Sequence, residues 1–145
     1  MAYLSTSDIE RELSYDFSAS TEPTDTEISE FISQVEADLN GQLSSVGVSV
    51  PVSSSSSPGS FALLKQAATW GVCARVLGAY GGLITSDAPK AEIYWQRYKD
   101  FLIRVRENPA ILYDVSWDTT KVRVDGITDD DDEYHDAIFA MDDEF

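Results

Sequence analysis

Residues 61–80 read FALLKQAATWGVCARVLGAY, with Pro58-Gly59-Ser60 before them and Gly81-Gly82 after. Only Lys65 and Arg75 carry charge within that stretch. At helical spacing Leu64, Ala67, Ala68, Gly71, Val72 and Arg75 lie along one side, and Leu63, Trp70, Leu77 and Tyr80 cover another. A helix that is apolar most of the way round belongs at the buried centre of a domain. Its small residues, Ala67, Ala68, Gly71, Ala74 and Gly78, allow other helices to come close. Ser60 is placed to cap its start, and Gly81 or Gly82 to end it in a left-handed conformation. Lys65, Gln66, Thr69 and Arg75 break the apolar run well short of a membrane span.

Three further helices are expected around it. Ser7 and Glu10 match a capping box that opens a short helix at about 8–13, with Ile9 and Leu13 on one face. Thr24 and Glu27 match a second box. The helix it opens, to about residue 43, places Ile28, Phe31, Ile32, Val35, Leu39 and Leu43 at three- and four-residue steps. A last helix is expected over about 89–108, with Trp95, Tyr98, Leu102 and Val105 as its apolar stripe. Asn108-Pro109 stops it.

The connecting segments are less regular. Val46, Val48, Val50 and Val52 alternate as a short extended segment would, although Pro51 restricts it to an edge. Residues 53–57 are five serines, which read as a solvated loop. Lys121-Val122-Arg123-Val124 alternates like a strand before the Asp125-Gly126 turn signal. Its partner is either the earlier extended segment or another subunit. The expected fold is therefore mainly α. It is a small helical bundle around the apolar helix at 61–80, with a short strand or hairpin and an extended acidic C-terminal arm. Residues 1–108 form the helical domain in this reading, and 109–145 the extension.

Charge narrows the function classes. Twenty-six acidic residues stand against ten basic ones, a formal net charge of −16 in 145 residues. That argues against direct binding to phosphate backbones or anionic membranes. Such an acidic, Lys-poor chain reads either as a protein from a salt-loving microbe or as an acidic protein with an acidic tail. The N-terminal MAYLSTSDIERELS has neither a basic flank nor an apolar run, so no signal peptide is expected. Arg97, Lys99, Arg104 and Arg106 gather in the last helix. They read as partners for its dipole and for neighbouring acids, or as a docking face for an acidic neighbour such as a second copy, with Arg97, Arg104 and Arg106 making the contact.

Residues 129–133 are five consecutive acids. After them YHDAIFAMDDEF, residues 134–145, sets a small apolar group between acids, the form of a motif that orders on a partner. Tyr134, Ile138, Phe139, Met141 and Phe145 are its candidate docking residues.

Little in the chain supports catalysis or cofactor binding. His135 is the only histidine and Cys73 the only cysteine, too few for a zinc site. A hydrolytic site would have to rest on His135 in the acidic tail. The places before Asp125-Gly126 that an EF-hand loop would fill with acids hold Arg123 and Lys121. Gly78 to Gly82 lacks the preceding strand and following Lys-Ser/Thr of a phosphate loop. We expect no enzyme activity, metal or cofactor.

The order of these elements resembles the head-to-tail connector, or adaptor, proteins of tailed bacteriophages and related archaeal tailed viruses. The resemblance is carried by Pro23-Thr24 with Glu27 at the start of the second helix. It is carried further by Ile32, Ala37-Asp38 and Leu39 within that helix, by the Ala/Gly-rich central helix, and by Tyr94 and Tyr98. It covers roughly residues 3–108. It implies a structural virion protein located in the neck, between capsid and tail, and assembled in the host cytoplasm. Such proteins form a ring, commonly dodecameric, beneath the portal protein. The ring extends the DNA channel, lets DNA pass without specific binding, and offers a platform to the next neck or tail protein. A carboxylate-lined channel would repel DNA and let it slide. The extension after Asn108 exceeds shorter family members and is read as an arm docking on the portal or a neighbouring subunit. Stopper and tail-completion roles are near alternatives. A different class, an acidic DNA-mimic inhibitor of a nucleic-acid-binding protein, is suggested by the same charge.

Overall fold

The computed structural model describes residues 2–84 and 89–118. The chain is mainly α, a packed bundle of four helices: α1 (Thr6–Leu13), α2 (Asp25–Ser45), α3 (Pro58–Ile84) and α4 (Pro89–Glu107). A 3-10 turn, Pro109–Ile111, follows α4. Helix α3 packs against each of the other three and is the centre of the bundle. Leu64, Ala67, Ala68, Val72 and Val76 are fully buried on it. Ile28, Val35 and Leu39 from α2 and Tyr98 and Val105 from α4 complete the core around it.

Gly71 marks the closest packing. A Cβ placed there would lie 2.9 Å from Val35 Cγ1 and 3.2 Å from the Tyr98 ring, so only glycine lets α2 and α4 approach α3 together. Two tyrosines then fix α4. Tyr94 donates to Glu12 Oε1 on α1 at 2.9 Å, and Tyr98 donates to Asp38 Oδ2 on α2 at 2.7 Å.

The ends of the helices agree with the sequence in some places and differ in others. At α2 the Thr24 amide donates to Glu27 Oε2 at 2.8 Å and the Glu27 amide to Thr24 Oγ1 at 3.2 Å, the reciprocal box expected there. At α1 the cap is Ser5, not Ser7: Ser5 N and Oγ both donate to Asp8 Oδ2, at 2.9 and 2.8 Å. Glu10 is thereby freed to accept the Phe17 amide at 3.0 Å, which folds the following loop back. Helix α3 begins at Pro58, so Ser60 lies inside its first turn. It does not stop at Gly81-Gly82 in a left-handed turn. Tyr80 leaves helical geometry (φ −128°, ψ 16°), and helix resumes to Ile84. Tyr80 donates its hydroxyl to Glu27 Oε1 at 3.0 Å, tying that kink to the start of α2.

The chain before α1 is anchored. Glu36 Oε1 accepts the Tyr3 and Leu4 amides, and the buried Tyr3 hydroxyl donates to Asn40 Oδ1 at 2.7 Å while accepting the Val52 amide at 3.0 Å. Residues 53–57 remain a solvent-exposed connection at Ser54, Ser55 and Ser56, but they form a hydrogen-bonded turn. The Ser57 amide donates to the Ser53 carbonyl at 2.9 Å, and Ser57 is itself buried. Serine hydroxyls bond nearby backbone readily, which explains how such a run can be ordered.

Val48 pairs antiparallel with Trp117, through Ser49 N to Ser116 O and Asp118 N to Gly47 O, both 2.8 Å. The earlier extended segment does find a partner, upstream of the expected strand. Residues 121–124, His135 and the acidic arm lie outside the described residues. Residues 109–118 pack on the helices, with Leu112 and Val115 buried.

Candidate functional site

Helices α3 and α4 leave a groove of about 320 Å³ on one face of the bundle. Leu63, Trp70, Phe101 and Ile111 provide its apolar lining; Gln66, Arg97, Asp100 and Arg104 provide the polar part. Leu63 and Trp70 are seven residues apart on α3, and so are Arg97 and Arg104 on α4. That interval returns a side chain to nearly the same face of a helix, so both pairs run along the groove. Leu63 is 42% exposed, a high value for a leucine on the central helix. Helix α3 is thus apolar on more faces than its three neighbours cover.

The side chains of Arg97 and Arg104 make no hydrogen bond or salt bridge with any described residue. Their charges are available to an acidic group entering the groove. Arg106 points elsewhere: its Nη2 donates to Gln42 Oε1 on α2 at 3.0 Å. Lys99 lies 5.9 Å above the Trp95 ring. The four basic residues therefore do not form one cluster. Successive helical residues turn by about 100°, and Arg106 lies two steps round from Arg104.

Trp95 also departs from the expected apolar stripe. It is 42% exposed, while Tyr98, Phe101 and Val105 form the buried face and Leu102 is half-buried. Ile93 and Ile103, both nearly half exposed, add apolar surface to the outside of α4.

A second feature was not foreseen from sequence. The Asp114 carboxylate accepts the Gly59 amide at 2.9 Å and the Ser60 amide at 3.0 Å, while its backbone carbonyl accepts the Ser57 hydroxyl at 2.7 Å. It caps α3 from the far end of the described chain, and negative charge suits that end of a helix. The nearby Ser60 hydroxyl and the two amides hold the Asp114 carboxyl below the usual range. Ser60 Oγ is buried without a partner of full hydrogen-bond geometry, so the amide bonds are the structural cap. The sequence signal was faint: an acid following an apolar 3-10 turn.

The thiol of Cys73 is shielded. Burial, and secondarily Glu12, pushes the Cys73 thiol up to about 12, so it is a thiol and not a nucleophilic thiolate at neutral pH. Among the described residues no group of three or more His, Cys, Asp or Glu is placed to hold a metal. No described helix is long and apolar enough to cross a membrane. The docking residues Tyr134, Ile138, Phe139, Met141 and Phe145 lie outside the described residues. The groove is therefore a candidate binding surface for an apolar segment carrying acids. No protein-family model, curated protein or solved structure matches the chain.

Proposed function

We propose that this chain is a structural head-to-tail adaptor that forms a ring beneath the portal of a tailed virus. The observation that carries the reading is the order of its elements. A short capped helix precedes a long amphipathic helix, and a small-residue helix packs at the centre. A tyrosine-clamped fourth helix ends before Pro109. In this reading Tyr134, Ile138, Phe139, Met141 and Phe145 dock on the portal or a neighbouring subunit, and Arg97, Arg104 and Arg106 receive an acidic neighbour. The role is structural rather than enzymatic, without a cofactor. The net charge of −16 suits a channel wall that DNA passes without sticking. Immunogold labelling of virus particles with an antibody to residues 2–118 tests the placement. Label at the junction of capsid and tail supports it, and label absent from particles rejects it.

The same charge favours a second reading, a DNA-mimicking inhibitor. Its signature is stoichiometric inhibition of a nucleic-acid-binding protein that weakens steeply with salt. An adaptor gives no such inhibition.

A further inference from the structure

We propose that the groove between α3 and α4 is a receptor for the chain's own C-terminal segment, with Ile138, Phe139 and Met141 against Leu63, Trp70, Phe101 and Ile111. The flanking acids pair with Arg97 and Arg104. The proposal concerns the free chain, before assembly turns the same residues outward to the portal or a neighbouring subunit.

Four observations converge on this occupant. The groove has an apolar floor and two arginine side chains that make no hydrogen bond or salt bridge with a described residue. Residues 134–145 offer the complementary pattern, five apolar residues between Asp136 and Asp142-Asp143-Glu144. Asp136 and Asp143 are separated by the same seven-residue interval as Arg97 and Arg104. The connection is also long enough. Ile111 lines the groove only seven residues before Asp118, which places Asp118 within about 25 Å of it by chain length alone. Twenty residues from Asp118 to Ile138 can span about 65 Å.

The chain's own segment is favoured over a second copy. Two free copies, each carrying −16 and not yet held side by side on a portal, repel one another. A tethered segment, in contrast, meets the groove at an effective concentration on the order of millimolar.

Paramagnetic NMR on the full chain tests this. A nitroxide is attached at His135→Cys; Cys73 stays unlabelled because it is buried and its thiol is held protonated. At low salt the Trp70 indole and the Leu63 and Ile111 signals should broaden, while the Trp95 indole broadens less. Arg97→Glu with Arg104→Glu, or Ile138→Asp with Phe139→Asp, should restore the groove signals at least severalfold. Both arginines are exposed, so the charge reversal leaves the fold intact. A mixture of isotope-labelled chain without nitroxide and unlabelled chain with nitroxide should show no broadening. Unbroadened groove signals in the first sample overturn the proposal. Broadening in the mixture that matches the first sample, which would mean a second copy supplies the segment, also overturns it.

Discussion

Asp114 caps Ser60: its carboxylate accepts the Ser60 amide at 3.0 Å across 54 residues of sequence. The segment after α4 thus closes the end of the central helix, and chain on the far side of α4 belongs to the same folded unit. Replacing Asp114 with alanine should lower the melting temperature at pH 7, as calorimetry would record. The pH dependence follows from the lowered carboxyl. An unfolded aspartate titrates near about 3.9. Stability from Asp114 is present above that value and is lost as pH falls through the lower folded value. Melts of wild type and Asp114→Ala should therefore converge in acid. A gap that stays constant between about pH 5 and 2 contradicts the capping account.

Two glycines near the same helix separate packing from mere proximity. At Gly71 a methyl group meets Val35 and Tyr98 inside the core. Gly71→Ala should destabilise by about 1–2 kcal/mol in urea titrations, because overpacking outweighs the gain of ~1 kcal/mol in helix propensity. At Gly59 the same methyl meets the Tyr113 hydroxyl. Tyr113 is 75% exposed and can swing away. Gly59→Ala should be close to neutral, despite its shorter contact.

Alkaline pH probes the tyrosine clamp. Burial, then Asp38, raises the Tyr98 hydroxyl pKa, and burial, then Glu12, pushes Tyr94 up to about 12. Unfolded tyrosine titrates near about 10. Their stability is fully present below that pH and is lost as pH rises toward the folded values, since the unfolded chain releases its protons first. Tyr98→Phe should cost about 1 kcal/mol at pH 7 through the lost hydrogen bond. It should also flatten part of the alkaline limb of a stability-versus-pH curve. An unchanged limb would mean that Tyr98 is not buried against Asp38.

Helix α1 ends at Ser14 with φ 53°, and α2 is followed by Gly47 with φ 87°. Both lie in the left-handed region, where a side chain is strained. Ser14→Gly should stabilise the protein by about 1 kcal/mol, and Gly47→Ala should destabilise it by a similar amount. Paired denaturant titrations measure both; two changes of the same sign would refute the cap assignment.

Features that depend on neighbours in sequence were legible beforehand. Thr24 and Glu27 close their box within four residues, and the apolar run at 61–80 can only be a centre. The first cap was ambiguous because Ser5 with Asp8 and Ser7 with Glu10 both offer a hydroxyl and an acid at the right spacing. Packing settled the frame: Tyr3 and Leu4 are buried, and Glu10 is engaged by Phe17. The Asp114 cap lay beyond any local pattern. The groove was half legible. Leu63 and Trp70 stood out as a second apolar side, but which neighbour would leave that side open depends on how α4 crosses. Trp95 was misjudged for the same reason, since proximity along α4 says little about direction around it; Arg106, two residues past Arg104, reaches Gln42 of α2 and not the groove.

The most direct test of the adaptor reading is quantitative mass spectrometry of purified virus particles, comparing copies of this chain with copies of the portal subunit. The account predicts a fixed ratio of about one, as matched rings require. Absence from particles, with the protein abundant in infected or uninfected cells, would contradict it.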